Sequence, residues 1–230
     1  MKRTGNRRIF AGLLTLALLL CSLPVPARAE GEYLGEYSDL NPDEWYAQGV
    51  DYCIAHGMMD GYGDDLRLFG PYDPMTRSQL ITVLWRIAGE PETGLMSQHI
   101  DVPEAAWYEK AVRWSVAAGI MDGYSDYTFG PDDPLIREQL VTVLWRFVRW
   151  KNGAAPVFSE DELQPYSDRF LISDYALEAM SWACGLGILT GVEQYGAQWI
   201  TPRVRVTRAS FATILMRFCL DMGYCEKPVS

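Results

Sequence analysis

Three arginines stand at one fixed place in three similar stretches. Arg77, Arg137 and Arg208 each lie six residues after a proline, Pro71, Pro131 and Pro202. Each opens an apolar-striped segment, behind Thr76, Ile136 and Thr207. Arginine in the first turn of a helix is mildly unfavourable, because that end already carries partial positive charge. Its reuse at one spot points to another purpose. A guanidinium fork beside free backbone N–H groups suits a carboxylate. The competing use is an ion pair with Asp39, Asp101 or Asp168, which recur upstream in the same stretches. Both hold together if the acid orients the arginine.

Other repeated residues join this candidate ligand-binding set. Trp45 and Trp107 offer flat faces to sugar rings, or serve as core plugs at the start of amphipathic helices. Gly61 and Gly123 belong to a Gly-Tyr loop, and Gln79 and Gln139 sit two residues after the arginine. Trp85 and Trp145, one residue past a buried-stripe leucine, read as packing between repeats. The acids of Asp60–Asp65 and Asp122–Asp126 lack the spacing and closing Glu of a calcium loop, so a turn is expected. His56 and His99 are lone, without a zinc spacing, and read as surface or loop residues. No nucleophile elbow, His-Glu-x-x-His motif or phosphate-cradling glycine loop occurs. No catalytic residue, metal or cofactor is expected.

The elements that must position these residues follow from the repeat. Trp45–His56 reads as a short helix with apolar positions three to four apart, matched from Trp107 and from Tyr175. Gly57, Gly119 and Gly187 lie twelve residues after those aromatics, where a left-handed residue closes a helix. The second helix starts at the arginine, with Thr76 and Gln79 as a capping box. Ile136 leaves the second copy without a side-chain cap. The stripe Leu80, Val83, Leu84, Ile87 recurs as Leu140, Val143, Leu144, Phe147 and as Phe211, Ile214, Leu215, Phe218. One such helix cannot bury its face alone; three together form a three-helix bundle around a pseudo-threefold axis. The chain divides into a leader (1–29), a linker (30–36), repeat 1 (37–90), repeat 2 (99–152), a linker (153–165), a degenerate repeat 3 (166–222) and a tail (223–230).

Composition narrows the partner. Lys2, Arg3, Arg7 and Arg8, the apolar run Ile9–Leu20 and Ala27-Arg28-Ala29 make a secretory signal cleaved before Glu30. No other stretch is apolar enough to span a bilayer. The 230 residues hold 20 basic and 30 acidic side chains; without the leader's five basic residues the net charge is −15. That disfavours nucleic acid and anionic lipid as partners. Any anion must be caught by local arginine pockets. Cys53, Cys184, Cys219 and Cys225 do not recur with the repeat, and their pairing is open.

The aromatic-x-Asp start, Trp-Tyr helix, Gly-Tyr loop, Phe-x-Pro strand end and Thr-Arg-x-x helix start resemble the S-layer homology (SLH) family over about residues 37–220. The resemblance implies a mainly α fold: three helix-loop-helix repeats in a pseudo-threefold spindle. It implies a secreted, non-catalytic module of the cell surface. Its partner would be a secondary cell-wall polymer, often pyruvylated, on peptidoglycan. Binding would use grooves between repeats lined by the helix-start arginines. The chain departs from the family pattern. The usual final Glu of Thr-Arg-Ala-Glu is absent from every copy. Repeat 3 has Tyr175 for Trp and Gly191-Val192 for Gly-Tyr, which puts the defect in the third groove. Nothing of enzymatic or S-layer size follows residue 225. The alternative is a structural protein that binds another envelope protein and has lost glycan affinity.

Overall fold

The computed structural model describes Gly31 and residues 33–63, 67–94 and 98–224. The expected leader and its cleavage site, Cys225 and most of the expected tail lie outside the described residues.

Each repeat builds a short helix, a loop and a longer helix. The short helices are α1 (Ala47–Ala55), α3 (Glu109–Ala117) and α5 (Leu177–Gly185). The long ones are α2 (Arg77–Ile87), α4 (Arg137–Asn152) and α6 (Arg208–Met222). Gly57, Gly119 and Gly187 follow the short helices at φ of 63°, 65° and 71°, the left-handed region that a side chain resists. The first helix starts at Ala47 rather than Trp45, which shifts its buried face. Tyr46, Val50, Cys53 and Ile54 point into the core, and Trp45 points out.

Capping follows the sequence. Thr76 accepts from the Gln79 N–H while the Gln79 side chain accepts from the Thr76 N–H. Thr207 accepts from the Ser210 N–H. Ile136 has no side-chain acceptor, and only Gln139 reaches back, to the Ile136 N–H at 3.1 Å. Ile136→Thr restores the missing half and is expected to stabilise the chain by about 1 kcal/mol. A higher melting temperature at unchanged cooperativity is the observation that checks it.

The tight helix pairs join different repeats. α3 packs on α2, α5 on α4, and α1 returns to pack on α6. Gly49 lets that last pair close, since a Cβ there would lie 2.6 Å from the Thr213 Cα. The expected axis is completed by backbone. The Met75 N–H donates to the Val206 carbonyl, the Val206 N–H to the Leu135 carbonyl and the Leu135 N–H to the Met75 carbonyl, at 2.8–2.9 Å. These three residues, one per repeat, are buried, and their bonds form a closed ring. The core around the ring holds all four stripe positions of α4 and α6 and three of the four in α2. Ile87 is partly buried.

Repeat 3 replaces the Gly-Tyr loop with a hairpin. β1 (Val192–Gln194) pairs antiparallel with β2 (Ala197–Trp199). Tyr195 and Gly196 between them both have positive φ, the geometry of a two-residue turn that follows strand twist. Among the described residues, Cys53, Cys184 and Cys219 are not joined to one another by disulfides.

Candidate functional site

The helix-start arginines reach across repeat boundaries. Arg77 of repeat 1 donates through Nε to the Phe129 carbonyl (3.0 Å) and through Nη2 to the Asp122 carbonyl (2.7 Å), both in repeat 2. Arg137 of repeat 2 does the same to Ile200 (3.0 Å) and Thr190 (2.9 Å) of repeat 3. Arg208 of repeat 3 donates to the Phe69 and Asp60 carbonyls of repeat 1. A fixed fork with two parallel donors fits two carbonyls that no single point charge could reach. Burial lowers the pKa of all three guanidinium groups.

The recurring aspartates serve the same peptide segments. Asp39 accepts from the Phe69 and Gly70 N–H groups, Asp101 from Phe129 and Gly130, and Asp168 from Ile200 and Thr201, at 2.7–3.1 Å. The ion pair weighed from sequence therefore takes another form: acid and arginine hold opposite sides of one peptide segment, the acid its N–H groups and the arginine its carbonyl. Burial pushes the Asp101 carboxyl up, but the N–H bonds from Phe129 and Gly130 outweigh it and hold the pKa below its ordinary value.

Gly61 and Gly123 are set by close approach. A Cβ on Gly61 would meet the Tyr37 ring at 2.3 Å and the Leu68 carbonyl at 2.5 Å. On Gly123 it would meet His99 Nε2 and the Thr128 carbonyl, each at 2.6 Å. His99 is thus a repeat position: its ring edges onto Phe129 at 5.7 Å as Tyr37 does onto Phe69 at 5.8 Å. The sequence reading of His99 as unmatched is corrected on that geometry, while its place in a loop stands.

Trp45 and Trp107 are 58% and 62% exposed, so the core-plug reading fails for both. The buried ring next to Trp45 is Tyr46, and each indole is propped edge-on against its neighbouring tyrosine at 5.1–5.5 Å. Trp107 of repeat 2 overhangs a groove of about 470 Å³ shared with Gln79, Arg86, Asp60 and Gly61 of repeat 1 and Arg208 of repeat 3. Trp45 of repeat 1 overhangs one of about 380 Å³ with Thr190, Val192 and Arg217 of repeat 3 and Arg137 of repeat 2. Between them in pseudo-symmetry lies the groove of the second loop. There Arg146 pairs with Asp122 at 3.5 Å, and Tyr175 takes the indole position. We number the grooves by the loop that floors them.

Each groove thus draws on all three repeats. The two sequence changes of repeat 3 fall in different grooves: Tyr175 in the second, Gly191-Val192 in the third. Tyr175 comes with its own support. Its hydroxyl donates to Glu138, a carboxylate only 2% exposed that also accepts from the Ser173 N–H and hydroxyl. Burial and the Glu138 charge push the Tyr175 pKa up to about 12.

A second arginine set completes the grooves and was missed as a site. Arg86, Arg146 and Arg217 each lie nine residues after a helix-start arginine. Nine residues are two and a half helical turns, so the two side chains leave opposite faces. One reaches into a neighbouring groove and the other into the helix's own. The fixed offset in all three copies was the available signal.

Residues 36–81 and 101–141 of the chain match the S-layer homology domain. This places the chain among proteins of the cell surface. It is 26% identical over 218 residues to a surface-layer 125 kDa protein of Lysinibacillus sphaericus, a match covering 94% of this chain and 17% of that one. It is 28% identical over 131 residues to a cellulosome-anchoring protein of Acetivibrio thermocellus, covering 54% of this chain and 29% of that one. The chain therefore spans less than a third of the length of either relative. An undecaheme cytochrome from the S-layer of Carboxydothermus ferrireducens is similar over 76% of this chain and 21% of its own, at 15% identity and a TM-score of 0.43.

Proposed function

We propose that this module docks on an anionic cell-wall glycan, a secondary polymer carried by peptidoglycan, through its inter-repeat grooves. The observation that carries the reading is the repeated pairing of an outward aromatic face with two guanidinium groups. An exposed ring propped against a neighbour stacks on a sugar with little ordering cost. The arginine of the helix's third turn presents its fork to a carboxylate or phosphate on that sugar. The helix-start arginine, tied to two carbonyls, adds fixed positive charge to the groove floor. In a chain of strong negative charge these grooves are local exceptions.

Co-sedimentation of the protein with purified wall sacculi, before and after acid stripping of the secondary polymer, tests it. Binding should be lost on stripping. Trp45→Ala and Trp107→Ala together should weaken binding at least about tenfold, worth about 1.4 kcal/mol, with little change in melting temperature. Equal binding to stripped walls, or none to either preparation, would overturn the glycan reading and turn the search to a protein partner.

A further inference from the structure

The groove that looks most degraded in sequence is the one whose positive charge is least neutralised. In the first and second grooves the helix-start guanidinium is covered and compensated. Tyr62 lies over Arg208 at 5.0 Å, and its hydroxyl donates to Asp73 at 2.7 Å. Tyr124 lies over Arg77 at 4.6 Å, beside Asp133. Asp60 and Asp122 floor the same grooves, and Asp122 also holds Arg146. Every one of these groups is replaced around Arg137. Val192 stands for the tyrosine, Val204 for Asp73 and Asp133, and Thr190 for Asp60 and Asp122.

The geometry shows what the replacements leave. The Thr190 carbonyl takes Arg137 Nη2 and its hydroxyl takes Arg217 Nη1, both at 2.9 Å, so one neutral residue gathers two guanidinium groups. The described residues lining this groove include no acid. Arg137 is half-buried, whereas Arg77 and Arg208 are only 7% and 6% exposed. Asp168 stays beneath, engaged by two N–H groups, as its counterparts are in the other copies. Trp45, the indole rather than the tyrosine version of the overhanging ring, completes the site.

We infer that the third groove is the principal anion site of this chain, and that Thr190 sets its preference for a charged ligand over a neutral one. The ligand class is a sugar bearing a carboxylate or phosphate, with the anion on Arg137 and Arg217 and the ring on Trp45. The inference rests on the glycan reading above.

Calorimetry and Trp45 fluorescence with three probes test it: a methyl hexoside carrying a cyclic pyruvate ketal, its methyl ester, and a methyl hexoside 6-phosphate. One tight site per chain is expected for one or both anionic probes, with the ester at least tenfold weaker. Which anion wins identifies the source of the charge. Thr190→Asp should weaken the anionic probe at least tenfold, because the new carboxylate engages Arg217 as Asp122 engages Arg146. A melting temperature of Thr190→Asp close to that of the parent controls for folding, and Thr190→Asn, neutral and of the same shape as the aspartate, should bind the anionic probe more tightly than Thr190→Asp. Asp122→Thr should open a second site. Three equal sites, equal binding of the ester, or indifference to Thr190→Asp would overturn the inference. If wall sedimentation still requires the polymer in that case, the glycan reading stands without it. Loss of both would overturn the reading beneath as well.

Discussion

Arg208→Ala is expected to lower the melting temperature by about 6–12 °C. The variant leaves the Phe69 and Asp60 carbonyls without their donors and removes the guanidinium stacked on Phe69 at 4.7 Å. Bonds to a charged donor contribute about 1.5–3 kcal/mol each, so the loss is about 3 kcal/mol or more. A domain of this size shifts by about 2–4 °C per kcal/mol. Arg208→Lys should recover little, since one ammonium cannot span both carbonyls. Arg137→Ala should cost less, because Arg137 is half-buried and has Val192 where the others have a tyrosine ring. Thermal unfolding of the three alanine variants checks the order. An unchanged melting temperature together with lost wall binding would assign these arginines to the ligand alone.

The second large effect concerns the third repeat. A chain ended after residue 165 should show no cooperative unfolding transition. It loses α6, against which α1 packs, and α5, which covers α4. It also loses the Val206 link of the backbone ring and the fork of Arg208. Buried faces of α1 and α4 would then meet water, and apolar burial at about 25 cal/mol per Å² is the main favourable term in folding. In an open solenoid, removal of an end repeat leaves the remainder folded; here both ends bond to each other. Circular dichroism and calorimetry of the shortened chain distinguish the cases, and a sharp transition in it would mean that two repeats suffice.

Much of this architecture was legible before any coordinates. The glycines at left-handed positions, the Thr76–Gln79 box and the inward stripes follow from local rules that each copy obeys separately. The partner of each helix was not legible, because identical repeats fit equally well onto the copy before or the copy after. The phase of the first helix was misread for a related reason: Trp45 sits four residues before Gly49 and Tyr46 four before Val50, so both fit the helical spacing, and burial of one excludes the other. The hairpin of repeat 3 escaped notice because its only sign is Tyr195-Gly196 within an unremarkable polar run. At the site, the aromatics and arginines were found, but their grouping was not, since residues 60, 107 and 208 share a groove only once the ring has closed.

The closed ring also determines how the module bears load. Tension applied to the chain on either side of the described residues enters through repeat 1 or repeat 3, and those two repeats grip each other along the α1–α6 seam. That seam, tightened at Gly49 and Thr213, therefore carries part of any such load. The third groove straddles it, with Trp45 on one side and Arg217 on the other, so a ligand held there ties the two ends together. On the glycan reading proposed above, pulling on an occupied module works against the bound ligand as well as the seam, and release under force is expected to be slower with the polymer in place.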